Sequence, residues 1–226
     1  MGQMFYRKEA MSRKKILMEA KDVIVHGEES RIEEVIEAAE REGIDPIELL
    51  QDGFTVGNLE VGERFEHGLI SLPELIFSTE VMRKAIDAVT ATMKYDGKPK
   101  GKVLIATVAG DIHDIGKSIV ASTMRGYGIE VIDIGREVSV EEIIRQAEKH
   151  KVDIIATSAL LTSTLKEQRK LEQALEDAGL KVEYKTMVGG APCTLRWAKR
   201  IGATAYSEDA IEACKKALSL LEKIRL

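Results

Sequence analysis

The sequence predicts an α/β protein with an all-α N-terminal domain. A four-helix bundle over 1–94 is followed by a linker over 95–101 and a doubly wound parallel five-stranded sheet over 102–226. Three observations lead there. Apolar residues in the first ninety-odd positions recur at helical spacing. The stretch "KYDGKPKGK" (94–102) holds two Gly, one Pro and four Lys and has no apolar pattern. Beyond it, apolar runs rich in β-branched residues alternate with amphipathic segments of helix length, the pattern of a parallel sheet covered on both faces.

The first helix is "KKILMEAKDVIVHG", closed by Gly27. In "ESRIEEVIEAAEREG" the residues Ile32, Val35, Ile36 and Ala39 share a face; Ser30 and Glu33 predict a capping box, and Gly43 the stop. "DPIELL" offers Asp45 as N-cap and Pro46 as first helical residue. A further helix starts near Pro73, with Leu75, Met82, Ile86, Val89 and Met93 on one side. Short helices joined by brief turns read as an antiparallel bundle. The expected strands are "VLIATVA" (103–109), "EVIDIG" (130–135), "VDIIATS" (152–158) and "VEYKTMVGG" (182–190), with a short fifth at "ATAYS" and a last helix from about Glu208.

Composition narrows the function. Hydrophobic residues are 44% and charged residues 31%, a globular balance. Lys and Arg number 33 against 38 Asp and Glu, a net charge of -5 that argues against nucleic acid as partner. No uncharged run approaches the roughly 18 residues of a membrane span, and "MGQMFYRKEAMSRKK" is not a signal peptide. Cys193 and Cys214 form no CxxC, which suits a reducing interior; a cytoplasmic location is expected.

Parallel sheets bind ligands outside the carboxyl ends of their strands, and "GDIHDIGKS" (110–118) sits at the first of these. Asp111 and Asp114 would repel phosphates, and no phosphate-loop pattern occurs. A hydrolytic metal site needs further ligands, yet His26, His67 and His150 lie in helical segments with no shared spacing. Two readings stay open on this loop alone. One is an ordinary strand-to-helix turn with an incidental histidine. The other is a single axial ligand to a metal that brings its own equatorial ligands, with Asp111 fixing the imidazole tautomer and Gly110 and Gly116 letting a bulky group approach. "TSALLTST" (157–164) adds five hydroxyls at the third strand end, and "VGGAP" (188–192) paired glycines at the fourth. A long polar tail could lie there, although Ser and Thr are also ordinary caps and Gly-Gly an ordinary turn.

The motifs together resemble the cobalamin-binding family typified by methionine synthase and the corrinoid proteins of methyltransferase systems. That family carries DxHxxG, then SxL, then GG; here Asp111, His113 and Gly116 are followed by 41 residues to Ser158 and Leu160, then 28 to Gly189 and Gly190. The resemblance implies a flavodoxin-like (Rossmann-like) domain. In it His113 replaces the cofactor's own base as axial cobalt ligand, and the displaced nucleotide tail is buried between Ser158 and Gly189. The surrounding loop residues Gly110, Ile112, Asp114 and Ile115 would line the site. The family's histidine–aspartate–serine relay maps to His113, Asp111 and Thr164, with threonine where the family has serine. Thr162 falls at a tail-contacting threonine, and Ala210 at a backbone contact to the nucleotide.

"VGERFEHGLISLPEL" (61–75) resembles the family's helical cap, whose phenylalanine and leucine shield the upper face of cobalt; Phe65 and Leu72 match. A plain core role is the alternative for both. Gln51 stands where methionine synthase has a glutamate. The resemblance implies a non-autonomous methyl carrier rather than a complete enzyme, taking a methyl group on Co(I) cobalamin and handing it on from methylcobalamin. Its implied partners are a donor-specific methyltransferase of barrel fold, an acceptor methyltransferase serving a thiol or tetrahydrofolate-type cofactor, and a reductive activase. Such systems serve one-carbon metabolism in methanogenesis or acetogenesis. The alternative is the small subunit of an adenosylcobalamin-dependent mutase, which lacks the cap. A cobalamin-sensing regulator would need a basic DNA-binding helix pair, and the N-terminal half offers none.

Overall fold

The structure, a computed structural model, describes residues 12–93 and 97–224. Part of the expected linker, residues 95 and 96, lies outside the described residues. The chain divides between Thr92 and Met93 into two compact units.

The first unit is helical. Helix α1 (Arg13–His26) ends at Gly27, whose left-handed backbone (φ 67°) returns N–H groups to the carbonyls of Ile24 and Val23. A single 3₁₀ turn, Glu29–Arg31, then feeds directly into α2 (Ile32–Arg41). The expected capping box at Ser30 does not form. Ser30 lies inside the turn, whose backbone carbonyls accept the N–H groups of Arg31 and Ile32, and not at the extended position an N-cap residue occupies. Asp45 does cap the next helix: Oδ1 accepts from the N–H groups of Ile47 at 2.8 Å and Glu48 at 3.4 Å, ahead of Pro46.

That third helix has three stretches, α3 (Pro46–Glu48), a π-helical turn (Leu49–Phe54) and α4 (Thr55–Glu66). Gly53 and Gly57, four residues apart on one face, press against α1. A Cβ on Gly53 would lie 2.7 Å from that of Ala20, and one on Gly57 2.4 Å from the Lys21 carbonyl oxygen. Helix α5 (Leu72–Thr92) begins one residue before the expected Pro73; Glu74 accepts from both the N–H and the hydroxyl of Ser71, at 2.7 Å each. Ile16, Val23, Leu50, Phe54, Val81, Met82 and Val89 form the buried interior of this unit.

The second unit is a five-stranded parallel sheet in the order β2-β1-β3-β4-β5. Its elements are β1 (Lys102–Thr107), α6 (Ile115–Gly126), β2 (Glu130–Asp133), α7 (Val140–His150), β3 (Ile154–Ser158), α8 (Leu165–Asp177), β4 (Lys185–Gly189), α9 (Leu195–Ile201), β5 (Ala205–Tyr206) and α10 (Ala210–Ile224). Strand alternation sorts side chains to two cores. Val103, Ile105, Ile154, Ala156 and Met187 pack with Ala121, Met124, Ala213, Cys214 and Ala217 of α6 and α10. Leu104, Ala106 and Ile155 pack with Ile143, Ala147, Leu171 and Leu175 of α7 and α8.

The strands are shorter than the apolar runs predict, and for two of them the local reason is plain. β2 stops at Asp133 because its carboxylate accepts from the Gly135 N–H at 2.9 Å and the buried Lys117 ammonium at 2.5 Å, turning the chain out of the sheet. β4 starts at Lys185 because a 3₁₀ turn occupies Leu180–Val182.

Candidate functional site

In the order of this sheet the connection reverses between β1 and β3, and such a switch point opens a crevice at the carboxyl ends. In register, Thr107 pairs with Ser158 and Ser158 with Gly189, so the loops after β1, β3 and β4 rise side by side.

Gly110 (φ 75°) turns the β1 loop over this edge. The Asp111 side chain is wholly buried, and its two oxygens serve two loops. Oδ1 accepts from His113 Nδ1 at 2.7 Å and the His113 N–H at 3.2 Å. Oδ2 accepts from the N–H groups of Leu160 at 2.7 Å and Leu161 at 3.2 Å, and from the Thr164 hydroxyl at 2.8 Å. Thr164 Oγ1 also lies 2.8 Å from the Leu161 carbonyl; its single proton favours the carboxylate, where the bond is charge-assisted.

Burial by itself would raise the Asp111 carboxyl, but the Thr164, His113 and Leu160 donors outweigh it and bring the pKa down to about 2. A carboxylate can only accept. Nδ1 of His113 therefore carries the proton of the neutral ring, and Nε2 keeps its lone pair. The ring side chain is 43% exposed. The Thr107 hydroxyl donates to the His113 carbonyl at 3.2 Å, tying the loop to the strand it leaves.

Around the imidazole, Ile112, Leu160 and Leu161 expose apolar side chains. Asp114 precedes α6 without capping it through its side chain and lies 3.9 Å from Arg136. Ile115 opens α6, and a Cβ on Gly116 would meet nothing within 4 Å, so the space beyond this first turn is open. Thr162 is exposed on the loop before α8, Ser158 is half-buried, and Ala210 opens α10 in a buried position. Gly190 is tightly constrained: with φ 117°, a Cβ there would lie 1.9 Å from the Ala159 carbonyl oxygen.

In the helical unit Gln51 lies half-buried in the π-helical turn. Phe65, near the end of α4, is 38% exposed, and Leu72, the first residue of α5, is 55% exposed. Neither is a core residue of this unit.

Sequence reasoning missed two participants. Leu161 reaches Asp111 through its backbone N–H, which no side-chain pattern reveals. Gln168 is wholly buried on α8; its Nε2 donates to the carbonyls of Thr157 at 3.1 Å and Gly189 at 3.3 Å, bridging β3 and β4. Its Oε1 accepts from Trp197 Nε1 at 3.0 Å and Cys193 Sγ at 3.3 Å. The available signal was a glutamine three residues before Leu171 on the apolar face of its helix. Burial pushes the Cys193 thiol up to about 11, so it is a structural donor rather than a nucleophile.

Among the described residues no group of three or more His, Cys, Asp or Glu side chains converges as a metal cage. What the edge supplies is one well-oriented imidazole nitrogen, an apolar rim and glycine-lined space. That donor set fits a metal already held in a macrocycle.

A profile described as a B12 binding domain matches residues 101–215, and a second profile of the same description matches 16–90. The chain belongs to the B12-binding family. This B12-binding protein is 42% identical over 213 residues to trimethylamine corrinoid protein 1 of Methanosarcina acetivorans, covering 93% of the chain and 99% of that relative. It is also similar to the solved structure of the Methanosarcina barkeri monomethylamine corrinoid protein, with 31% identity, a TM-score of 0.82 and coverage of 92% and 100%. A methanol:cobalamin methyltransferase complex from Methanosarcina barkeri aligns at 29% identity and TM-score 0.53, over 95% of this chain and 82% of that one. No described helix of this B12-binding protein is long and apolar enough to cross a membrane.

Proposed function

We propose that this protein is the corrinoid-carrying component of a methyltransferase system, with His113 Nε2 as the lower axial ligand of cobalt. The observation that carries the reading is the Asp111–His113 pair: an ionised, buried carboxylate 2.7 Å from Nδ1 fixes the tautomer in which Nε2 of the neutral ring is the ligating nitrogen. The bound corrinoid supplies cobalt chemistry that accepts a methyl group from a donor and releases it to an acceptor.

The chain's own residues bind and orient. Asp111, held by the Thr164 hydroxyl and the Leu160 N–H, fixes the tautomer and the plane of the His113 ring. Gly110, Ile112, Asp114, Ile115 and Gly116 would hold the macrocycle beside His113, and Ser158, Leu160, Thr162, Gly189, Gly190 and Ala210 would receive the nucleotide tail. Phe65 and Leu72 are exposed and free to contact a corrinoid, the role proposed for them and for half-buried Gln51. The names of the relatives support a methylated amine as donor, and the methyltransferase complex among the similar structures supports a donor-specific methyltransferase as partner. That partner's barrel fold, an acceptor methyltransferase and a reductive activase complete the proposed system.

The first test is spectroscopic. Cobalamin added to the apo protein is expected to give a base-off spectrum with imidazole ligation, and His113→Ala to lose the imidazole contribution and retain the cofactor poorly. A His113→Ala protein with the parent spectrum at full occupancy would refute the assignment. The donor is then tested by pairing the loaded protein with trimethylamine-, dimethylamine- and methanol-specific methyltransferases and measuring cobalt methylation; methylation through the methanol enzyme alone would overturn the amine reading.

A further inference from the structure

The β1–β3–β4 register places Thr107, Ser158 and Gly189 in one transverse row, one residue past the cores at the carboxyl edge. Alternation puts this row on the α6/α10 face, because Ile105, Ala156 and Met187, two residues earlier on each strand, all belong to that core. The row continues onto the fifth strand. Met187 pairs with Ala205 and Val188 with Tyr206, and the Ser207 N–H donates to the Val188 carbonyl at 3.2 Å, which sets Ser207 beside Gly189. A Cβ on Gly189 would lie 3.4 Å from the Ser207 carbonyl oxygen. Glycine is thus flanked by a serine on either side, Ser158 and Ser207, two strand spacings or about 10 Å apart. That width admits a flat aromatic base.

Ser207 differs from the other buried hydroxyls of this unit's sheet edge. It is 7% exposed, and its Oγ has no hydrogen-bond partner. Thr107 and Thr164, by contrast, spend their protons on His113 and Asp111. A buried hydroxyl without a partner is costly, and such groups in native proteins call for an explanation. Here it sits on the face bounded by the open space beyond Gly116 on α6 and by buried Ala210 at the start of α10.

We infer that Ser207 is a ligand-binding residue whose hydroxyl is satisfied only by the nucleotide tail of the corrinoid, and that it makes the protein select complete corrinoids over those lacking the nucleotide. This rests on the proposed corrinoid reading. It assigns the fifth strand a direct contact that the DxHxxG, SxL and GG motifs do not contain.

The inference predicts opposite signs for one substitution. Ser207→Ala removes an unsatisfied group from the apo protein, so its melting temperature should stay the same or rise. The same change should weaken cobalamin binding about five- to tenfold, the loss of one buried hydrogen bond. Binding of aquacobinamide, which has no nucleotide, should be unchanged. Titrations of both probes into parent and variant, followed by absorbance, together with apo melts by circular dichroism, read all three quantities. Equal cobalamin affinity in parent and variant overturns the inference, as does an equal loss for cobinamide or a lowered apo melting temperature, each of which marks a structural serine. Failure of the parent itself to take cobalamin base-off overturns the corrinoid reading and this inference with it.

Discussion

Asp111 is the residue on which the site turns, because its carboxylate joins groups from two loops that the strand register sets side by side. Its Oδ2 is reached by the N–H groups of Leu160 and Leu161, forty-nine and fifty residues away, and its Oδ1 by the ring of His113. Asp111→Asn would turn an amide NH₂ toward one of these donor sets, leaving at least one buried N–H unpaired. The expected cost is about 1–3 kcal/mol in urea unfolding of the apo protein, with cobalamin affinity reduced roughly 10- to 100-fold as the imidazole loses its orienting partner. A variant as stable as the parent would show that the buried carboxylate is not the organiser. The residue types here were legible in the sequence, since a carboxylate two positions from a histidine at a strand end is an interpretable pattern. Gln168 and Ser207 were not. Their roles arise from what tertiary packing places against them, and a single glutamine or serine carries no spacing to read.

At the scale of elements, periodicity located nearly every helix and strand but misplaced several ends, in each instance for a local reason. Ser30 and Glu33 match a capping box by spacing, yet Ser30 falls inside the 3₁₀ turn that runs into α2, where it caps nothing. The π-helical turn at Leu49–Phe54 was invisible because its wider winding still leaves Leu50 and Phe54 buried, as an ordinary helix would. The two glycines after it differ in purpose. Gly57 faces the Lys21 carbonyl at contact distance, whereas Gly62, in the same α4, has nothing within 4 Å of its would-be Cβ. Gly57→Ala should destabilise the helical unit by about 1–3 kcal/mol through overpacking, and Gly62→Ala should stabilise it by roughly 0.5–1 kcal/mol through lost backbone freedom in the unfolded chain. Urea midpoints that move in the same direction for both would contradict the close approach of α1 and α4.

At the scale of the whole molecule, the helical unit and the sheet unit each bury their own apolar interior. Calorimetry of the apo protein should resolve two unfolding transitions. Cobalamin at about 100 times its dissociation constant should stabilise the transition of the sheet unit by about 2.7 kcal/mol. A single transition would contradict separate unfolding of the two units, and a shift confined to the helical unit would contradict the placement of the ligand site on the sheet. The division itself was readable from the change of rhythm at "KYDGKPKGK", whereas the strand order was not, since apolar runs do not say which neighbour each strand takes. The buried carboxylate has one more consequence. Its two oxygens belong to one planar group, so a shift of the Leu160 and Leu161 N–H groups, whose side chains are exposed, would be passed on to the imidazole at the other oxygen. A visiting protein gripping only those two leucines would reach the imidazole without ever touching it.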